Sequence, residues 1–368
     1  MRVLVNAGPW LPVPPRGYGG IENVVATLVP ELRELGVEVV LATVADSELA
    51  VDERLAVFPR GQFPLLQRPY NQVCGVVPAH QNAVLRRVAA GDIDLVHDHV
   101  EAAGLTTLAA LGLPSLHTLH WDLQKHPALY GTFDSHVRVN GVSADQLSHA
   151  PEALRRHSVG HVHLATPLAV GADRRQAVPK EAYAVVLGRI TAGKGQDLAA
   201  RLAHEHRFDL VLAGPVGPCH NPEDLAAADQ QNPDVVFWRE KVAPYVDGTR
   251  VRWIGSVMGK ARDELVAGAR VALFPLRWNE PGGTAVVESL ALGTPVVGIA
   301  RGCLPELVEH GRTGLLTADE DQLGELIEAA DALDERECRE EAARRFTPAV
   351  MAAQYLGIYE RLIERRPV

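Results

Sequence analysis

Residues 278–297 read WNEPGGTAVVESLALGTPVV, and this stretch decides the fold class. Just before it, residues 270–276 are RVALFPL, an apolar run of strand length. Pro281-Gly282-Gly283-Thr284 then forms a tight turn, and an apolar helical pattern follows until Gly293 and Pro295 stop it. The order is strand, glycine turn, helix. Such a turn aims backbone N–H groups and the positive end of a helix dipole at an anionic ligand. Glu280 stands at the mouth of the turn, and Glu288 lies about one helical turn further in.

The same alternation extends in both directions. Residues 2–7 form a buried-type strand, followed by a Gly/Pro-rich loop (8–20), a helical pattern (21–35) closed by Gly36, and a strand (37–43). Strands are expected next at 95–97, 115–120, 138–143 and 161–165, with helices at 79–90, 101–111 and 145–156. Residues 170–181 are polar and irregular and read as a linker. The alternation then restarts, with strands at 183–187, 208–213, 251–254, 270–276, 295–299, 304–308 and 315–317. Helices are expected at 196–205, 238–246, 260–267, 321–345 and 348–364. Strands that alternate with helices make parallel sheets, so two series make two doubly wound α/β domains. We expect a first domain over 1–169, a second over 170–347, and a last helix in 348–368 returning to the first. Ligands of such sheets sit at the carboxyl ends of the strands, which places the chemistry in an interdomain cleft.

Composition narrows the function. The 368 residues are 47% apolar, enough for two cores. The net charge of −10, without blocks of like charge, argues against nucleic acid as a partner. The 36 basic residues include only 5 lysines, a bias toward arginine that hints at a GC-rich bacterial source. Cys74, Cys219, Cys303 and Cys338 are far apart and form no metal or disulfide pattern, which suits a reducing cytoplasm. The first residues read as a strand and not as a leader, and no run is long enough for a transmembrane segment. Peripheral membrane contact and oligomeric state stay open.

Five stretches, in order, resemble the retaining nucleotide-sugar-dependent glycosyltransferases of family 4, which have the GT-B fold. They are Tyr18-Gly19-Gly20-Ile21-Glu22, Leu119-His120, Gly188-Arg189-Ile190 with Lys194-Gly195, the Glu280–Glu288 pair, and GCLPELVEHGRTGLL at 302–316. The likeness spans nearly the whole chain. It implies a GT-B architecture of two Rossmann-like domains, a nucleoside diphosphate sugar as donor substrate, and no cofactor or metal.

The resemblance also implies roles. Glu280 would contact hydroxyls of the donor sugar and Glu288 the nucleotide ribose, since a carboxylate accepts two hydroxyl hydrogen bonds. Arg189 and Lys194 would hold the diphosphate. Gly19, Gly20, Pro281, Gly282, Gly283 and Thr284 would bring backbone close to sugar and phosphate. VRWIGSVM at 251–258 matches the segment that holds the base through backbone groups, here Gly255 and Val257. His120 would hydrogen-bond the sugar near the reacting carbon, while a structural role for it, with His117 in the core, is the plain alternative. Arg16, His97, His99 and Asp122 fall on the acceptor side. Gly282 departs from the family pattern, which commonly has Phe there, and that puts the sugar's identity in doubt. Asp92-Ile93-Asp94 has the form of a metal motif but precedes its strand, at the wrong end for a site.

The expected reaction is transfer of a glycosyl group to an acceptor hydroxyl with retention of configuration, in bacterial glycan or antibiotic biosynthesis. A nucleotide-sugar epimerase or sugar phosphorylase on the same fold is the nearest alternative enzyme. A non-catalytic nucleotide-sugar-binding regulator is the alternative of another class. A nicotinamide dehydrogenase is disfavoured, because the glycine loop fails the dinucleotide spacing at Glu22.

Overall fold

The computed structural model describes residues 1–17, 19–133 and 136–364. Tyr18 of the glycine loop lies outside the described residues. The chain divides into two compact units, Met1–Ala165 with the segment that starts at Pro348, and Thr166–Thr347.

The first unit carries strands β1 (Arg2–Asn6), β2 (Glu38–Thr43), β3 (Glu53–Ala56), β4 (Leu95–Asp98), β5 (Ser115–Thr118), β6 (Arg138–Gly141) and β7 (Ser158–His161). They form one sheet in the order β3-β2-β1-β4-β5-β6-β7, and every pair is parallel. Apart from Arg2 at the start of β1, the central strands are buried along their length, as a sheet covered on both faces requires. Alternate residues therefore serve two cores. Val3 and Val5 pack with Leu28 and Leu32, whereas Leu4 packs with Leu105 and Leu108.

The helix Pro348–Glu364 belongs to this unit. Its Met351, Ala352, Tyr355, Ile358 and Tyr359 recur at helical spacing and are buried in the same core as the helix Gly20–Glu34.

The second unit carries β8 (Glu181–Leu187), β9 (Asp209–Ala213), β10 (Val251–Trp253), β11 (Ala269–Phe274), β12 (Val296–Ile299) and β13 (Gly314–Thr317). Their order is β10-β9-β8-β11-β12-β13, again all parallel. Tyr183 and Val185 face one core, Ala184 and Val186 the other.

Four expectations fail locally. The helix expected over 145–156 is two short ones, Ala144–Ser148 and Glu152–Arg155, because Pro151 cannot continue the first. Residues 304–308 are no strand: Leu304–Leu307 is a helical turn with Pro305 in its first positions, where a missing N–H costs nothing. The strand expected at 161–165 is displaced to Ser158–His161. The helix expected over 321–345 is broken, because Asp334 caps a new helix, Glu335–Arg345, by accepting from the Arg336 N–H at 2.8 Å. One strand went unseen. β3 is four residues long and half exposed on an edge, with charges where a core strand would be apolar. Among the described residues, no helix is long and apolar enough to cross a membrane.

Candidate active site

In each sheet the strand order reverses once, between β1 and β4 in the first unit and between β8 and β11 in the second. Loops leaving the carboxyl ends on either side of such a reversal part to leave a crevice. In the second unit those loops are residues 188–195 and 275–283. They hold Arg189, Lys194, Glu280, Pro281, Gly282 and Gly283.

The two loops are locked together. The Arg277 N–H donates to the Gly193 carbonyl at 2.9 Å, and the Gly193 backbone lies against the Trp278 ring. Gly195 has φ +72°, and a Cβ there would stand 2.0 Å from the Pro275 carbonyl oxygen. Only glycine permits this approach. Lys194 is thereby held between two partners, the Trp278 ring, 5.2 Å from its centroid, and the Glu280 carboxylate, with which it forms an ion pair.

Glu280 is pinned from behind. The Cys303 N–H donates to its carbonyl at 2.9 Å, and Gly302, at φ +60°, fits where a Cβ would fall 2.3 Å from the Glu280 nitrogen. Glycine at the start of the 302–316 motif is thus a steric condition for the position of Glu280. Gly283 caps the helix Thr284–Ala291 in a left-handed conformation and brings no side chain to the cap. The N–H groups of the first turn stay free of a side-chain cap, while Pro281, Gly282 and Gly283 are buried and Thr284 is exposed.

Glu288 sits deeper, its side chain 17% exposed, and Arg262 reaches one of its oxygens at 3.2 Å. Burial raises the Glu288 carboxyl above its ordinary range, and Arg262 opposes that shift. Arg262 was not legible as a site residue, because it stands in an unremarkable helical pattern 26 positions away.

Arg189 has an exposed side chain and a fixed backbone. Fully buried Gln196 donates to the Arg189 carbonyl at 2.8 Å and accepts from the Thr191 N–H at 3.2 Å. Gln196 went unrecognised too; its only signal was an amide in the first turn of a helix directly after Lys194-Gly195.

Strands β8, β9 and β10 end in a row of glycines, Gly188, Gly214 and Gly255, all with positive φ. A Cβ on Gly214 would meet the Gly188 oxygen at 2.0 Å, and one on Gly255 the His220 oxygen at 2.3 Å. The row presents bare backbone beside half-buried Val257. Gly214 was missed, as an isolated glycine after a strand reads as an ordinary turn.

The first unit is built differently. The loop after β1 ends at Gly19, extended and without room for a side chain: a Cβ would lie 2.6 Å from the Pro15 side chain. Gly20, exposed and unobstructed, opens the helix. Glu22 in its first turn is buried, which raises its carboxyl.

Across the reversal, β4 ends in His97 and Asp98, with His99 next. His97 is fully buried, and both ring nitrogens are engaged, Nδ1 with the Tyr359 hydroxyl at 2.6 Å and Nε2 with the Thr118 hydroxyl at 2.7 Å. The structure therefore puts His97 in the core and not on an acceptor-facing surface. His99 Nδ1 instead meets His120 Nε2 at 2.8 Å. His120 is half-buried, and its surroundings push the imidazole down to about 3, burial first and the nearby His117 second. His117 is in the core, its Nδ1 3.0 Å from the buried Asp98 carboxylate, which also accepts from Asn6 at 2.6 Å and from the Val100 N–H at 2.8 Å.

Glu101 follows at φ +38°, an uncommon conformation for a side-chain-bearing residue. The Tyr130 hydroxyl donates to it at 3.0 Å, and burial pushes its carboxyl up to about 8. Nothing in its sequence context marked it.

Two expected residues keep to local partners. Arg16 is 65% exposed and pairs with Glu48 at 3.1 Å, a solvated contact. Asp122 caps the short turn Leu123–Lys125 by accepting from the Gln124 N–H at 3.0 Å. The structure thus brings together Lys194 with Glu280 and His120 with His99, and leaves Arg16, His97 and Asp122 in other company.

Two parallel-sheet α/β units with charged and glycine-rich loops at their reversal points define a GT-B type of enzyme. Residues 172–347 match the family described as glycosyl transferases group 1, and residues 18–144 match Glycosyltransferase Family 4. D-inositol 3-phosphate glycosyltransferase 2 of Catenulispora acidiphila is 27% identical, over 94% of this chain and 91% of that protein. Phosphatidyl-myo-inositol mannosyltransferase of Mycobacterium leprae is 25% identical, over 93% of each. The crystal structure of AviGT4, a glycosyltransferase involved in avilamycin A biosynthesis, matches with a TM-score of 0.66 and 26% identity, over 99% of this chain and 98% of that one. The chain belongs to the family 4 glycosyltransferases and has their GT-B fold.

Proposed function

We propose that the protein moves a glycosyl group from a nucleoside diphosphate sugar to an acceptor hydroxyl, with retention of configuration and without a resident metal. The observation that carries this reading is the Lys194–Glu280 pair, which joins the two loops at the reversal point of the second unit beside an uncapped helix N-terminus. A cation, a carboxylate and N–H groups without a side-chain cap together suit a ligand that is anionic at one end and rich in hydroxyls at the other.

In this reading Lys194, Arg189 and the Gly283 and Thr284 amides hold the diphosphate. Its charge draws Lys194 from Glu280, which frees Glu280 for sugar hydroxyls. Glu288, steadied by Arg262, accepts from the ribose, and the Gly255–Val257 backbone borders the base. In the first unit, Gly19 and Gly20 offer bare backbone and His120 a ring nitrogen to a ligand. The bond from the sugar's anomeric carbon to the diphosphate oxygen breaks, and the acceptor oxygen bonds that carbon on the same face. The acceptor's proton passes to the departing phosphate oxygen. No protein nucleophile takes part, so catalysis rests on position and electrostatics.

Free, buried Cys219, Cys303 and Cys338 support a reducing, cytoplasmic setting, and the likeness to AviGT4 supports a bacterial product pathway of the antibiotic or glycan type.

The test is a thermal-shift screen with UDP, GDP, ADP and dTDP, followed by turnover with the matching sugar nucleotides in the presence of a chelator. Glu280→Ala should keep the nucleotide shift and lose transfer. Loss of nucleotide binding with transfer merely slowed would overturn the assignment. A new sugar nucleotide formed from donor alone would identify an epimerase instead, and binding without release of nucleotide to any acceptor would identify a regulator.

A further inference from the structure

We infer that His99 is a positioning residue that fixes His120 as the Nδ1–H tautomer, so that His120 offers its ligand a hydrogen-bond donor and not a base. The inference rests on the proposed reading that His120 faces the reactants. It follows from where the protons of this histidine group can go.

The count starts at His97. Thr118 donates its one hydroxyl hydrogen to Asn140 Oδ1 at 2.8 Å, so toward His97 it can only accept. His97 therefore carries its proton on Nε2, and its Nδ1 accepts from the Tyr359 hydroxyl. Every polar atom of His97 is satisfied in the neutral state, and its proton position is set by β5, β6 and the helix Pro348–Glu364. The His99 ring lies against it, with centroids 4.1 Å apart.

His99 and His120 share one hydrogen across 2.8 Å, and two arrangements exist. If His120 Nε2–H donates, the His99 proton must sit on Nε2. That atom is buried and has no partner among the described residues, and His99 itself is only 1% exposed. A buried, unpaired N–H is among the rarest features of folded proteins, and a free imidazole's own preference for one tautomer is small beside that cost. If His99 Nδ1–H donates, the buried Nε2 is a bare ring nitrogen and no donor is stranded. His120 then accepts at Nε2 and carries its proton on Nδ1. Among the described residues that nitrogen has no hydrogen-bond partner, and it is not sealed from solvent, so it is the one open to a ligand.

A second proton on the pair is opposed on all sides. His97 and His117 lie close by, Asp98 already serves His117, Asn6 and the Val100 N–H, and the hydroxyls of Tyr355 and Tyr359 are committed. Burial moves His97 and His99 well below the ordinary histidine range.

The deciding measurement is nitrogen-15 NMR of the full-length protein labelled at histidine, with the His120 signals assigned by their loss in His120→Gln. The expected pattern at neutral pH is a pyrrole-type Nδ1 and a pyridine-type Nε2. His99→Asn, whose amide can donate from the position of Nδ1, keeps that pattern. His99→Asp, which can only accept there, moves the His120 proton to Nε2 and lowers kcat about 10- to 100-fold, the loss of one hydrogen bond at the reactants, with donor KM held. His99→Asn retains more turnover than His99→Asp. A pyridine-type Nδ1 in the wild type overturns the inference, even if neither variant folds. A proton that moves in His99→Asp while turnover does not leaves the pairing standing and removes His120 from the reactants.

Discussion

The two reversal points solve one problem with opposite chemistry. In the second unit the loops carry charge: Lys194 and Glu280 pair with each other, and Arg262 supports Glu288. In the first unit the strand ends carry a largely buried hydrogen-bonded network, with His97, His99, His117 and His120 interlocked through Thr118, Asp98 and Tyr359. The charged set can change partners when an anion arrives, because partial exposure keeps the cost of breaking an ion pair low. The buried set cannot, since each unmade bond would strand a desolvated group. In the proposed reading, one end binds charge and the other holds a geometry.

The strongest way to break this comparison is Glu280→Ala. If the pair is the working end of the second unit, transfer falls at least about 10³-fold, roughly 4 kcal/mol of transition-state stabilisation, while the nucleotide thermal shift persists. Turnover assays beside the shift decide it.

Acid should come next and should strike the first unit. His80 is held down to about 4 and His120 to about 3, with His97 and His99 also lowered, against about 6.5 for an unfolded histidine. Between those values the unfolded chain binds more protons than the folded one, so stability falls as pH falls below 6.5. Each such residue contributes up to about 1.4 kcal/mol per pH unit. Glu101, raised to about 8, has the opposite sign: its contribution falls as pH rises from 4.5 to 8. Denaturant melts at pH 7 and pH 5 should show a net loss of several kcal/mol, and hydrogen exchange should place it in residues 1–165. A loss centred on 166–347 would reverse the comparison. Glu101→Gln should flatten the alkaline side of the same profile.

Gly302→Ala comes third. It forces a side chain into a left-handed position against the Glu280 backbone and should cost roughly 2 to 4 kcal/mol, read as a drop of several degrees in the melting temperature of the second unit. Arg16→Ala should be the smallest, within about 0.5 kcal/mol by denaturant titration, as expected of a solvated pair.

Much of the second unit's half was legible. Glu280, Lys194 and the Gly282–Gly283 turn stand in short contiguous motifs, and chain order alone puts them on loops after strands. Their supports were not, because Gln196, Arg262 and Gly302 act through contacts that no local pattern announces. The first unit's half was legible only as residue types. A histidine after a strand is the same letter whether it points to solvent or to the core, and His97, His99 and His117 differ in that alone.

The sequence by itself determined two parallel-sheet domains, because periodicity and glycine turns are local and survive reading in one dimension. It also determined which loops carry charge and backbone amides. Only the tertiary structure decided that Lys194 meets Glu280, that Arg262 meets Glu288, that His97 is sealed beneath Tyr359 and that His120 leans on His99. Those pairings join residues 21 to 262 positions apart. What brings them together is the order of strands in each sheet, which follows from how the whole chain packs and leaves no trace in any single stretch of it.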